Sequence, residues 1–485
     1  MRHVIELEKW VPVAHDVNVA VAGAGVSGLF AALGAAKCGA SVVLVDRFGQ
    51  LGGNMGPGLF IGSRLYDEPG RTLHEIEYPG IPREFVDRLE KMLAESGVSR
   101  NYPHYCQTIS RLALEMLREA RVALVLSAHA ADPILEKNRV RGLFVETKSG
   151  VIAIRAQVVI DATGDAEVAA RAGAPVRRGA RPEECDCPLI WPGYLRPECA
   201  HWNDGGLYFV IAGADYDRFQ AFCAQKVEMS AEDRQFMEEA AGYMSSQWPA
   251  PMVPILRRAQ ESGEFRVWRR FPGPFFVTLS NWFEQVDDGL VGGRAQMFGD
   301  YDISDWQQVS FLEAEMRALV FDAVAFLRRQ VPGFEGAWLL TESAFLGSRG
   351  GPCIEGEYTL TPHELWKGAS FPDALFRSYV GAFRGRGSAA GCDMPYRMLL
   401  PKRVDGLLVV GRGMSYLRRG HDPAVRARCN LMMLGQAAGM AAALAAAEGV
   451  EPRALDIDKL QRVLRAEGFP LHAAGLETVG PAHGE

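Results

Sequence analysis

Apolar residues change their spacing several times in this chain, and each change marks an element. Asn18–Val21 is a short run of β-favouring residues, Leu29–Lys37 is rich in Ala and Leu, and Ser41–Val45 is apolar after its first residue. That order predicts a strand, a helix and a second buried strand closed by Asp46. Helical spacing recurs in Pro82–Ser96, Thr108–Ala120 and Phe311–Gln330, and Arg428–Ala447 is a long stretch of small residues that reads as a helix. Strands are expected at Val122–Ser127, Arg139–Glu146, Val151–Arg155, Val158–Asp161 and Gly406–Val410, with a turn at Lys148–Gly150.

Strand, helix and strand in succession make a βαβ unit, and its first turn carries Gly23, Gly25 and Gly28 in the order GxGxxG. Gly23 allows the tight turn, Gly25 lets a pyrophosphate approach the backbone, and Gly28 lets helix and strand pack closely. Phosphates then rest on the free N–H groups of the helix that starts near Val26 and Ser27. Asp46 lies 18 residues after Gly28, where a carboxylate can accept both ribose hydroxyls of an adenosine. The alternative is a close helix–strand crossing without a ligand. A strand before, a helix after and an acid at this distance favour the dinucleotide. Two later strand ends, Ala162-Thr163-Gly164-Asp165 and Gly411-Arg412-Gly413, offer further places for backbone to approach a ligand.

The predicted fold is therefore α/β. A Rossmann-like cofactor domain, with a parallel sheet plus a three-stranded β-meander, receives its last strand and helix after a large insertion. That insertion, rich in aromatic residues such as Tyr208, Phe209, Trp248, Trp268 and Phe276, is expected to be an α+β substrate domain. The expected bounds are 1–185 with 395–485 for the cofactor domain and 186–394 for the insertion.

Length and composition agree with two or three globular units. Of 485 residues, 48% are hydrophobic and 23% charged, which excludes disordered and fibrous classes. The net charge is 52 − 59 = −7 and no long basic run occurs, so nucleic acid is not expected as a partner. Two stretches imitate a membrane span. Val19–Val45 is broken by five glycines and Lys37, and Leu431–Ala447 is a 17-residue run that is short for a span. The opening MRHVIELEKW lacks the apolar core of a signal peptide. Nine cysteines, an odd number without a CxxC, suggest reduced thiols and a cytoplasmic setting. Cys185, Cys187, Cys199 and His201 could in principle hold a metal, but their spacing matches no common ligand pattern, and no metal is assigned.

Taken together, these segments resemble the FAD-dependent oxidoreductase family related to the fumarate reductase and succinate dehydrogenase flavoproteins, with a glutathione reductase-like FAD domain. The similarity runs through GAGVSG, DRFGQLGG (Asp46–Gly53), VVIDATGDAEVAARAGA (Val158–Ala174), VPGFE and GEYTL within Val331–Thr361, and LGQAAGMAAALAAAEG in the last helix. The resemblance implies non-covalent FAD and redox chemistry on a small molecule at the flavin N5. It also implies cofactor contacts from Arg47, Gly52, Gly53, Asn54, Met55, Ala130 and Gln436. In this family the last long helix points its positive end at the flavin pyrimidine, favouring negative charge there. Two departures stand out. The chain has GSRGGPCIEGEY, keeping Arg349 but losing the arginine pair usual before GEY, and Ser378–Gly387 lacks an expected histidine.

The best catalytic candidates stand in the loop Met414–Arg428, just before that helix. His421 could serve as general acid or base, and Arg418, Arg419 and Arg426 could hold a substrate carboxylate or other anion. Arg349, His104 and Tyr396 are weaker candidates. The expected activity is hydride transfer between a small organic substrate and FAD, oxidising a C–H bond. Reduction of an activated C=C bond and a non-catalytic electron-transfer role are the alternatives.

Overall fold

The computed structural model describes residues 10–59, 79–97, 102–178, 182–184, 202–241, 248–271, 275–379, 391–417 and 427–471. Seven strands form the first sheet. Strand β1 (Val13–Ala22) lies between β2 (Val42–Asp46) and β6 (Gly150–Asp161), and β3 (Ala123–Leu126) extends the sheet in parallel beyond β2. The far edge of β6 is shared. Its first half pairs antiparallel with β5 (Arg139–Thr147), itself paired with β4 (His129–Glu136), and its second half pairs parallel with β17 (Leu407–Val409).

All of β2 and the end of β1 are buried, as expected for strands covered on both faces. One face carries α1 (Val26–Lys37), α2 (Gly80–Ser96), α3 (Tyr102–Glu119), α10 (Arg428–Glu448) and α11 (Ile457–Ala466), all contributing to one apolar core. The other face packs beneath the meander and α4 (Glu167–Arg171).

Two strand assignments need correction. Val151–Arg155 and Val158–Asp161 are one continuous strand, because Arg155 and Gln157 are the exposed half of an unbroken alternation around buried Ala156. The meander opens with β4, a strand its own residues do not announce. Pro133 sits inside it, tolerated because β4 is the edge of the sheet and bulged at that point.

The insertion builds a second sheet in the order β12-β8-β11-β10-β9, with β13 also on β8. Its strands are β8 (Trp202–Ala212), β9 (Trp268–Arg270), β10 (Phe275–Asp287), β11 (Leu290–Asp300), β12 (Trp338–Glu342) and β13 (Gly347–Ser348). Helices α5 (Tyr216–Cys223), α6 (Ala231–Ala241), α7 (Val253–Ser262) and α8 (Trp306–Gln330) accompany it. Leu207, Phe209, Ile211, Val291, Ala295 and Met297 share one core with Leu319, Val320, Ala323 and Leu327 of α8.

The chain then returns to the first unit. β14 (Pro352–Ile354) pairs with β7 (Val176–Arg178), and β15 (Ala374–Ser378) pairs with β16 (Cys392–Pro395) after the short α9 (Pro362–Lys367). Leu360, Leu365, Leu375, Phe376 and Met394 of this stretch pack in the core of α1 and α10. The buried pair Arg377–Asp393, 2.7 Å apart with side chains 6% and 2% exposed, ties the two strands together. Among the described residues, α10 alone is long and apolar enough to cross a membrane, and 89% of its apolar window is buried inside the protein.

Candidate functional site

Four parallel strands end along one edge of the first sheet, the edge where open α/β sheets bind ligands. β1 leads to Gly23, β2 to Asp46, β6 to Ala162 and β17 to Gly411. Backbone bonds hold these loops together: Gly23 N donates to Val45 O (2.8 Å), Ala162 N to Ala22 O (2.8 Å), Val410 N to Asp161 O (2.9 Å) and Gly52 N to Ala24 O (2.9 Å). A Cβ on Gly28 would stand 1.8 Å from Gly23 O, so only glycine lets α1 start this close to the loop. Gly53, at φ +53°, lies against Gly25, and a Cβ there would meet Gly25 Cα at 2.8 Å. The second glycine pair therefore closes over the first. Beside Gly25 itself there is open space: its chain neighbours aside, no atom of the described residues lies within 4 Å of where a Cβ would sit.

Asp46 braces the loop from the end of β2. Its Oδ2 accepts from Ala24 N (2.5 Å) and its Oδ1 from Phe48 N (2.7 Å). Burial pushes its carboxyl above the usual aspartate range, while those two N–H groups and Arg47 pull it back. Arg47 pairs with Glu167 at 3.0 Å. Ala130 is buried in β4 just beyond Ala128, whose N–H reaches Asp46 O (3.0 Å). Asn54 is exposed and Met55 buried on the 3-10 turn Gly53–Met55.

At the end of β6, Asp161 organises the next loop, a role absent from the sequence-based candidates. It accepts from Thr163 N (3.1 Å), Thr163 Oγ1 (2.6 Å) and Ala169 N (2.9 Å). Thr163 in turn accepts from Glu167 N (3.1 Å), so its hydroxyl shapes the turn into α4. Asp165 pairs with Arg412 at 2.5 Å. Arg412 also donates to Gly164 O (3.0 Å) and to Ser348 O (2.5 Å), joining both cofactor-side loops to the inserted sheet.

Helices α1 and α10 lie side by side. Cβ atoms on Gly435 and Gly439 would fall 2.2 Å from Ser27 O and 2.0 Å from Ala31 O, so contacts advance four residues on each helix and the two run in the same direction. Arg428 precedes Gly435 by seven residues, while Val26 precedes Ser27 by one. At 1.5 Å per residue, α10 therefore starts about 9 Å beyond the start of α1, on the ligand side. Neither helix has a side-chain cap.

This seating also fixes the Gln436 side chain. Wholly buried, its Oε1 accepts from Ile81 N (3.0 Å) and its Nε2 donates to Glu467 (3.2 Å). Its amide closes the start of α2 instead of reaching the glycine loop. Tyr396 is also structural, with its hydroxyl bonded to Pro452 O (2.9 Å) deep in the core. His104 lies on α3 beside Thr108, and Arg349 directly follows β13. His421, Arg418, Arg419 and Arg426 lie outside the described residues, as do Cys185, Cys187, Cys199 and His201.

The sequence profile described as FAD dependent oxidoreductase matches residues 18–464. The chain belongs to that family. Its cofactor is FAD, and it is an enzyme of the oxidoreductase class. A thiamine thiazole synthase from Pyrobaculum aerophilum is 37% identical over 164 residues, covering 32% of this flavoprotein and 58% of the relative. Digeranylgeranylglycerophospholipid reductase 2 from Methanopyrus kandleri is 29% identical over 159 residues, covering 31% and 38%. The flavoprotein thus spans well under two thirds of the length of these curated relatives. Among solved structures, a geranylgeranyl bacteriochlorophyll reductase-like protein from Thermoplasma acidophilum is 12% identical, with 94% and 84% of the two chains covered and a TM-score of 0.39. A flavin-dependent brominase is also 12% identical, with 93% and 83% covered and a TM-score of 0.42.

The flavoprotein's own residues fit FAD. The uncapped start of α1 leaves N–H groups for a pyrophosphate, and the open space beside Gly25 admits it. Ser27 Oγ is buried with no hydrogen-bond partner among the described residues, and a Cβ on Gly411 would stand 3.2 Å from it. Gln50 Nε2, on the loop between Asp46 and Gly52, is orphaned in the same way. Buried polar atoms without partners mark places where a ligand completes the bonding. Gln50 carries no motif of its own, so only its surroundings single it out.

Proposed function

We propose that this flavoprotein moves a hydride between a small organic substrate and N5 of non-covalently held FAD, as a dehydrogenase or oxidase of a C–H bond. The observation that supports it best is the pair of parallel helices whose starts are offset by about 9 Å. The nearer positive end, on α1, suits the pyrophosphate, and the one on α10 suits negative charge at the pyrimidine end of the cofactor. Bound there, FAD supplies the two-electron redox chemistry.

Asp46 holds the ribose, and Arg412 fixes the loops from β6 and β17 against the inserted sheet. On the substrate side, His421 moves a proton, and Arg419 and Arg426 hold an anionic group of the substrate. Kinship with the fumarate reductase and succinate dehydrogenase flavoproteins belongs to the same proposal and rests on the VPGFE and GEYTL segments. So does a division in which the insertion proper is the unit cored by the strands from β8 to β13, with 352–379 and 391–394 part of the cofactor unit.

The test is anaerobic. Purified protein showing bound-flavin absorbance is mixed with pools of small organic acids, alcohols and amines. Bleaching by one pool, slowed by His421→Ala without FAD release, supports the proposal. Reoxidation of dithionite-reduced protein by an unsaturated acid, with no bleaching by any pool, reverses the direction to C=C reduction. Neither response, together with reduction by another protein, leaves an electron carrier and removes the hydride step.

A further inference from the structure

The inserted sheet has a dry face and a working face. On β8 and β11, Leu207, Phe209, Ile211, Val291, Ala295 and Met297 point into the core under α8, so period-two alternation sends Tyr208, Val210, Arg294, Gln296 and Phe298 to the other side. That side rests on the cofactor unit. Tyr208, Val210 and Val286 share an apolar cluster with Leu59 and Cys106, and Ala344 N donates to Pro57 O at 2.9 Å.

Two polar groups on this face are left over. Arg294 Nε is buried and has no hydrogen-bond partner among the described residues, and one of its Nη atoms donates a long 3.5 Å bond to the Tyr208 hydroxyl, with the guanidinium 5.9 Å from the centre of that ring. No carboxylate among the described residues pairs with it. Other arginines of the insertion differ: Arg257, Arg269 and Arg317 each meet two carboxylates. Gln296, two residues along the same strand, is 3% exposed, and its amide bonds to no described residue. A half-buried guanidinium facing an internal surface without a counter-charge is costly to hold, and an arriving anion relieves that cost.

The position suits a substrate. Tyr208 is the cross-strand partner of Arg294, and β8 pairs on its other side with β13 through Gly206 and Gly205. Ser348 of β13 accepts the hydrogen bond from Arg412, the residue that also holds Gly164 and Asp165 beside the cofactor loops. Beyond Gln296 on the same face, Phe298 stacks on Phe276 with centroids 5.4 Å apart, giving an apolar wall.

We infer that Arg294 and Gln296 form a carboxylate subsite of the substrate pocket additional to the anion contacts proposed for Arg419 and Arg426, with the Phe276–Phe298 wall taking an apolar body. The inference rests on the function proposed above and names its substrate class as small organic carboxylates. The planar guanidinium receives both carboxylate oxygens, and the Gln296 amide donates a further bond.

The test uses purified holoenzyme titrated with acetate, butyrate and benzoate, each against its neutral amide, and read by perturbation of flavin absorbance and by calorimetry. The acids are expected to bind saturably, and the amides at least tenfold more weakly. Arg294→Gln should weaken the acids by about thirtyfold or more. Arg294→Lys, which keeps the charge but loses the fork, should weaken them by about tenfold. Gln296→Ala should cost a few-fold, with FAD content unchanged in all three variants. Equal binding of acids and amides, wild-type affinity in Arg294→Lys, or no response to any of the three acids overturns the subsite. So does loss of FAD from Arg294→Gln alone, which assigns the cation to the cofactor. A wild-type preparation lacking FAD absorbance sinks the cofactor reading itself, whereas full FAD without a carboxylate response sinks only this inference.

Discussion

Asp46 shows how much one residue can declare in advance. Its type and its distance from Gly28 are local features of the chain, so its place beside the glycine loop was legible. Its bonds to Ala24 N and Phe48 N were not, because they depend on how the loop folds over it. Burial raises its carboxyl above the ordinary value of 3.8. The stability of the apoprotein linked to this group is therefore present below the unfolded pKa and is lost as pH rises through the folded one. With the ribose contact proposed above, FAD binding needs the carboxylate and so strengthens over the same interval. Titrating FAD into apoprotein from pH 4 to 7 should show weakening on acidification, and Asp46→Asn should flatten that dependence while lowering affinity by about tenfold. A pH-independent wild type would remove Asp46 from the ribose. Arg377 makes the opposite kind of residue: nothing in the sequence marks it, yet it satisfies Asp393, Gly368 O and Gly391 O in the core. Arg377→Met should cost about 3–5 kcal/mol in urea unfolding by removing the buried counter-charge of Asp393, and adding Asp393→Asn should return part of that loss.

Elements differ in what they reveal. The βαβ start and α10 were readable because apolar periodicity over ten or more residues survives any tertiary setting. β4 was missed because Pro133 is a poor strand residue except at an edge, and edge status is decided only when the sheet assembles. The loop and helix glycines permit a sharper contrast. Gly25→Ala places a Cβ in open space at an ordinary φ of −71°, so apoprotein melting should hold steady or rise slightly while FAD retention falls. Gly439→Ala drives a Cβ to 2.0 Å from Ala31 O and must push α10 off α1. It should cost about 1–3 kcal/mol and release FAD through the fold. Equal melting temperatures for these two variants, measured calorimetrically on apoprotein, would contradict the packing described.

At the scale of the whole molecule, Arg412 is the brace between the two units. Arg412→Ala removes the ion pair to half-buried Asp165 and the hydrogen bond to Ser348 O, at a cost of roughly 1–3 kcal/mol. Amide hydrogen exchange should accelerate in both 162–166 and 346–350, and acceleration confined to one stretch would mean the brace does not couple them. The chain alone settled the cofactor fold, the glycine cradle and its acid, because those are short-range patterns held within some thirty residues. The crossing of α1 on α10, the turning of Gln436 toward α2, the packing of Leu360, Leu375 and Met394 in the first core and the pairing of Arg294 opposite Tyr208 join segments up to about four hundred residues apart. Such pairings are selected by shape and unmet hydrogen bonds once the sheets are packed, and no spacing along a linear chain encodes which surfaces will meet.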